Sequence, residues 1–507
     1  MSKKLGRLYS AALEGIDAKI IEVEADVNVG LHSFNIVGLG DRSLSEAKER
    51  VNSALKNAGI KPPNRENRRI TINLAPADVK KTGSHYDLAI ALGYLLATKQ
   101  IKEFDCSDKI FLGELALDGR LRPISGALNI AQKAAAEGFK YLFLPRRNAN
   151  EAAAIAEMNI IPLEDIRETI AILEGKVQHA PLRFTEEIHS AIAAADFSEI
   201  RGQGNAKRAL TIAAAGHHNV LLFGPPGVGK TFLSHALAGI IPQLTMPEAI
   251  ETTKIWSAAG LSPDGLIRER PFRAPHHTAS ITALVGGGQD PRPGEISLAH
   301  HGILFLDELP EFQKNALEAL RQPLESGVVH LARAKQSVAF PAKFILVAAM
   351  NPCPCGFYGD AEKECRCSAY EIIKYQKKIS GPLLDRIDIQ VKAGRVAIEE
   401  LRRGSSGDAS GGESASIKER VTRAREIQIA RRGKLNSELS AREVQDMMNA
   451  DRDTRVFLET LDHSQLSPRG YYRLLKVART IADLEKKDSV TSLHLAEAFS
   501  YRLKEIF

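Results

Sequence analysis

Eight consecutive residues, Gly224, Pro225, Pro226, Gly227, Val228, Gly229, Lys230 and Thr231, have the types and spacing of a phosphate cradle. Gly224, Gly227 and Gly229 allow successive backbone N–H groups to turn inward around phosphate oxygens, where the positive end of a following helix adds attraction. Lys230 is placed to reach β- and γ-phosphates. Thr231 offers a hydroxyl to Mg²⁺, a hard cation that keeps several waters and needs only one or two protein oxygens. Two carboxylates, Asp307 and Glu308, follow an apolar run and suit the other half of phosphoryl transfer: Asp307 to hold Mg²⁺ through its water shell, Glu308 to polarise an attacking water. Asn351, after a second apolar run, is placed to orient that same water between phosphate and base. ATP and Mg²⁺ are the expected ligands.

These residues need three strands to carry them. The run 220–222 leads into the glycine loop and a helical LSHALAGI follows, the strand–loop–helix order that such a motif requires. The runs 303–306 and 344–349 are equally apolar and are predicted as buried parallel strands, whose carboxyl ends are where ligands bind in open sheets. Hydrolysis also needs positive charge near the γ-phosphate, and in ring ATPases a neighbouring subunit commonly supplies it. Arg386 in GPLLDRID is the candidate finger and Arg469 in LSPRGYYRLL the candidate sensing arginine, with a structural salt bridge the alternative for each.

The chain of 507 residues is too long for one hydrophobic core, so several domains are expected. An α/β domain spans 1–175, with strands at 18–27, 33–37, 70–74, 109–115 and 141–145 and helices at 43–58, 87–97 and 128–137. The segment 174–184 suits a linker, and a second α/β domain occupies 190–400. The Gly/Ser-rich stretch within 401–416 should be flexible, and 417–507 reads as helical, with helices at 417–432, 441–450, 454–461, 468–486 and 492–503. No stretch stays uncharged long enough to span a bilayer, no secretory leader is evident, and a cytoplasmic protein is expected. The net charge of +6 permits nucleic-acid binding without arguing for it. Cys353, Cys355, Cys365 and Cys367 crowd into one loop, while Cys106 stands alone. In a reducing compartment this crowding points to structural Zn²⁺ rather than disulfides, with reduced, packed thiols the alternative.

The motifs DFSEIRGQGNAKRAL, RPFRAPHHTAS, GEISLAHHGILFLDELPEF and NPCPCGFYGD, together with the cradle, resemble the YifB/ComM family of magnesium-chelatase-like AAA+ ATPases over essentially the whole chain. The resemblance implies an AAA+ P-loop core with a parallel sheet, a helical carboxyl-terminal lid, and a homo-hexameric ring with ATP at subunit interfaces. Asp307, Glu308, Asn351, Arg386 and Arg469 match its Walker B acids, sensor asparagine, arginine finger and lid arginine. The segment 322–344 reads as a hairpin with a basic tip. In the similar minichromosome-maintenance helicases a hairpin at this place grips DNA, which makes Arg333 and Lys335 the expected phosphate contacts; a solvated turn is the alternative. Arg273, in the basic stretch 268–277, lies in the family's inserted region and is a further candidate for DNA, with a place at the subunit interface the alternative. His276 and His277 beside it are read as capping or packing residues.

The amino-terminal region resembles a Lon-protease-like α/β domain, in KKTGSHYDLAIALGYLLA at 80–97 and GELALDGRLRPISG at 113–126. Its chemistry does not carry over, since Lys133 comes later than a Ser/Lys dyad requires and Ser84 lacks a base. The implied function is a DNA translocase or branch-migration helicase acting on branched, single- or double-stranded DNA in recombination and integration of transforming DNA. The alternatives are a magnesium-chelatase-type ATPase that remodels a protein partner and a Lon-type proteolytic machine.

Overall fold

The computed structural model describes residues 6–38, 42–65, 67–79, 81, 83–185, 195–261, 265–288, 291–332, 337–360, 362–396, 412–448, 452–461 and 466–502. At the amino terminus β1 (Gly6–Glu14) and β2 (Asp17–Val29) form an antiparallel hairpin that turns on Gly15 and Ile16. β3 (Ser33–Val37) and β4 (Arg68–Ala75) extend the sheet on one side, and β5 (Lys109–Phe111) joins on the other. A small hairpin, β6 (Glu114–Leu115) with β7 (Leu121–Arg122), stands apart; β8 (Tyr141–Pro145) and β9 (Asn159–Leu163) complete a seven-stranded sheet in the order β3-β4-β2-β1-β5-β8-β9. The helices Arg42–Asn57 and Asp87–Ala97 cover it. The second is buried along nearly its whole length, and Arg50 holds the buried Asp87 by 2.6 and 3.0 Å hydrogen bonds.

The second sheet is wholly parallel. β10 (Val220–Phe223) lies between β17 (Ile345–Met350) and β18 (Ile389–Lys392), and β14 (Ile303–Leu306) pairs with β17 and with the short β11 (Phe272–Arg273). Two small antiparallel pairs hang from it, β12 (Gly286–Gly287) with β13 (Arg292–Pro293) and β15 (Val328–Ala332) with β16 (Ser337–Pro341). All residues of β14 and β17 are buried, which is why these strands read as continuous apolar runs. Each large aliphatic or aromatic side chain so buried contributes about 1.5–3 kcal/mol. The helices Glu413–Arg432, Ala441–Asp446, Arg452–Leu461, Pro468–Leu484 and Ser492–Ser500 close the chain. They share one apolar cluster with the sheet, from Val220 and Phe305 to Leu474 and Leu495, so the carboxyl-terminal helices are packed on the core.

Several elements differ from the sequence reading. β1 and β9 were not anticipated, and the expected strand 109–115 is broken at Leu112 and Gly113 into β5 and β6. The expected flexible segment ends early: residues 401–411 lie outside the described ones, but 413–416 open the helix Glu413–Arg432. Ser414 accepts a hydrogen bond from the Phe197 N–H at 2.8 Å, and Glu413 pairs with Lys207 at 2.7 Å, so tertiary contacts order a stretch whose composition suits a linker. No helix among the described residues is long and apolar enough to cross a membrane.

Candidate nucleotide site and its surroundings

Three parallel strands end side by side, and each delivers part of the site. β10 runs into the glycine loop, β17 beside it ends at Met350 and presents Asn351, and β14 beyond it presents Asp307. Gly224 passes so close to β18 that a Cβ would sit 2.1 Å from the Ala393 carbonyl oxygen, which excludes any larger residue. Gly227 and Gly229 have φ of 80° and 83° with open space around them, a conformation that favours glycine and leaves the loop's inner face free. The helix Lys230–Ile240 starts directly behind.

Lys230 is buried, and its ammonium donates to the carbonyls of Gly224 (2.8 Å) and Pro225 (3.0 Å) and to Asn351 Oδ1 (3.0 Å). Burial pushes its pKa down to about 8 against the opposing pull of Asp307 and Glu308. Thr231 Oγ1 donates to Asp307 Oδ2 at 2.9 Å, and the other Asp307 oxygen accepts the Glu308 N–H at 2.9 Å. Glu308 has φ of 50°, left-handed backbone that is costly for a residue with a side chain and is concentrated at functional sites. Its carboxylate lies 3.3 Å from His277 Nδ1, a neighbour that the sequence reading assigned to capping or packing.

Arg386 and Arg469 are brought together, but away from this cradle. Arg386 precedes β18, whose Ile389 pairs with Val220 at the amino end of β10, whereas Gly224 follows the carboxyl end. Four residues of strand, about 13 Å at about 3.3 Å per residue, therefore separate it from its own phosphate loop. Arg386 is buried and donates to Pro382 O at 2.7 Å and to Glu325 at 2.6 Å; Arg469, at the start of the helix Pro468–Leu484, pairs with the same carboxylate. Hydrogen bonds from Arg469 and Arg386 hold Glu325 down at about 2. Nothing in the local sequence marked Glu325. Behind it, burial would keep Asp388 protonated, but Arg473 and His218 hold it ionised, well below the usual carboxylate range.

The hairpin β15–β16 forms within the expected segment, while Arg333 and Lys335 lie outside the described residues. Its base packs in one apolar cluster with Ile16 from the β1–β2 turn. Arg273, an expected DNA contact, is instead engaged by Glu295 through two hydrogen bonds (2.6 and 2.7 Å) and lies over the Trp256 ring. A phosphate would have to displace this bidentate pair.

In the amino-terminal sheet Ser84 donates to Glu114, and Lys133 pairs with Glu137 at 3.0 Å. The serine and the lysine are thus engaged with different carboxylates. The four clustered cysteines do converge: Cys353 Sγ lies 3.4 Å from Cys355 and 3.6 Å from Cys365, and Cys355 lies 3.6 Å from Cys365, with Cys367 in the same group. None of them is in a disulfide.

Comparison with known proteins covers most of the chain. Residues 196–401 match the family described as magnesium chelatase, subunit ChlI; residues 23–148 match subunit ChlI of Mg-chelatase, and 411–502 its C-terminal family. The competence protein ComM of Haemophilus influenzae is 43% identical over 98% of this chain and 97% of its own length. YifB of Salmonella typhimurium is 43% identical with the same coverage. The magnesium-chelatase 38 kDa subunit of Rhodobacter capsulatus is 27% identical over 61% of this chain and 87% of its own.

Proposed function

We propose that this chain, which belongs to the ComM/YifB family of magnesium-chelatase-like proteins, is a cytoplasmic ATP-driven DNA motor that works as a homo-hexameric ring in recombination and the integration of transforming DNA. The observation that carries the reading is the meeting of Lys230, Thr231, Asp307, Glu308 and Asn351 at three adjacent strand ends beneath an open glycine loop. The residues fit a magnesium nucleotide: two hard oxygens, on Thr231 and Asp307, lie 2.9 Å apart, and Lys230 already reaches across to Asn351. Magnesium, when bound, neutralises charge on the β- and γ-phosphates.

The loop N–H groups and Lys230 bind and orient the phosphates. Glu308, exposed at the strand end, takes the proton of the attacking water, and His277 and Asn351 fix its direction. Arg386 cannot serve its own cradle, so a neighbouring chain's γ-phosphate is its proposed target, taken up in exchange for Glu325. A ring supplies that neighbour at every site. Arg469, tied to the same glutamate, lets the carboxyl-terminal helices sense the exchange.

For the substrate, the name of ComM and the hairpin β15–β16 favour DNA, with Arg333 and Lys335 as sequence-independent phosphate contacts. We assign the amino-terminal domain a Lon-like but non-proteolytic role, supported by the separate engagement of Ser84 and Lys133, and its Ile16 turn couples it to the hairpin. The experiment is ATP turnover with and without forked or four-way DNA at low salt. Stimulation is expected, and substituting Arg333 and Lys335 together should flatten the salt dependence of DNA binding by up to about two charges. Turnover indifferent to DNA, but stimulated by a protein partner, would replace this reading with chelatase-type remodelling.

A further inference from the structure

The structure assigns Cys353, Cys355, Cys365 and Cys367 to a closed zinc centre whose purpose is to hold the loop after Asn351 against the phosphate loop. The second half of the inference rests on the reading of residues 224–231 as a nucleotide cradle. Four thiolates around Zn²⁺ at about 2.3 Å form a tetrahedron whose edges are about 3.8 Å. The sulfur separations of 3.4, 3.6 and 3.6 Å approach that edge, and the group as a whole spans no more than 4.8 Å. A disulfide would need about 2.05 Å.

Ordinary packing does not explain the convergence. Only Cys353 is buried; Cys355, Cys365 and Cys367 are partly exposed, and between the pairs stand Glu362, Lys363 and Glu364, all exposed, with Arg366 exposed between the last two cysteines. Residues 362–367 form neither helix nor strand and bury little, so the hydrophobic effect supplies small force to gather four sulfurs there. The Tyr358 N–H donates to Cys353 Sγ at 3.3 Å, a bond of the kind that steadies a metal-bound thiolate. Four sulfur ligands leave no open position, which makes the centre structural and not catalytic.

What the centre braces is visible in its neighbours. A Cβ on Gly356, whose φ is 85°, would lie 2.6 Å from Pro226 Cδ, so the turn between the cysteine pairs rests directly on the glycine cradle. Gln376 donates to Pro352 O at 3.0 Å, and Arg395 grips Asp360 at 2.9 Å from beyond the end of β18. Asn351, bonded to Lys230, is two residues from Cys353. Metal at the cysteines therefore fixes both the roof of the cradle and the asparagine that meets its lysine.

The test uses full-length protein purified without chelators. Elemental analysis should find about one zinc per chain, and cobalt-substituted protein should show the intense visible bands of tetrahedral thiolate coordination. Cys365→Ser should lose the metal and weaken ATP binding, measured calorimetrically with magnesium, by at least about tenfold, whereas Cys106→Ser should change neither. Because Cys365→Ser risks misfolding, Gly356→Ala provides the second arm: it should keep its zinc and its circular dichroism yet bind ATP more weakly. Metal-free protein with four freely reactive thiols, or cystines in their place, overturns the centre while leaving the ATPase reading intact. Wild-type protein that holds full zinc, with ATP affinity unchanged both in Gly356→Ala and after metal depletion, overturns the brace. Wild-type protein that holds zinc but binds no ATP refutes the nucleotide reading and the brace with it.

Discussion

Lys230 makes ATP binding depend on pH in a direction that can be worked out in advance. Burial lowers its pKa from 10.5 to about 8 in the nucleotide-free chain. The unfolded chain then binds more protons than the folded one between pH 8 and 10.5, so the penalty of burying the ammonium is present below pH 8 and is relieved as pH rises through that window. The full shift corresponds to roughly 3 kcal/mol. Phosphate oxygens beside Nζ favour the ammonium, so a bound nucleotide restores the proton. At pH 9 about ten in eleven free sites have lost it, and rebinding it costs about 1.4 kcal/mol, a roughly tenfold loss of affinity relative to pH 7. About 0.9 proton should be taken up per ATP bound at that pH. Calorimetry at pH 7, 8 and 9 in buffers of differing ionisation enthalpy measures both quantities, and the terminal phosphate is already ionised across the range. Glu308→Gln, which removes one of the acids that raise the lysine's pKa, should move the onset to lower pH. Equal affinity from pH 7 to 9 with no proton uptake would refute the argument.

Glu308→Gln should also retain ATP while turnover falls by about 10²- to 10⁴-fold, and a normal rate would remove Glu308 from its role as base. Lys230→Ala and Arg386→Ala should each be inactive alone, whereas mixed assemblies should recover turnover at interfaces that pair an intact cradle with an intact arginine; no recovery on mixing would return Arg386 to a structural role. Glu325, held at about 2 by Arg469 and Arg386, contributes stability that is present above its ordinary carboxylate range and is lost as pH falls towards 2. Being half exposed, it should contribute no more than about 1 kcal/mol. The difference in Tm between wild type and Glu325→Gln should therefore shrink as the medium is acidified from pH 6 to 3, and a constant difference would contradict the assignment.

Local pattern exposed the cradle because its requirements are local: an apolar strand, glycines at fixed offsets, and a helix start. It failed where tertiary contact overrides composition. β9 carries Pro162, which argues against a strand, and it is tolerated because β9 is the edge of its sheet. β1 lacks β-branched residues and gains its order from nine residue pairs with β2. The segment 413–416 is helical because Lys207 and Phe197 hold it. The same limit applies to the site. Asp307 and Asn351 sit at strand ends that the apolar runs announce, and Lys230 opens the helix behind the glycine loop, but the position of Arg386 depends on the register of β18 against β10, which no run of residues reveals. That register sets Arg386 and Gly224 at opposite ends of two neighbouring parallel strands. An arginine placed there has no path to its own chain's phosphate, and any part it takes in hydrolysis has to be played on a second copy.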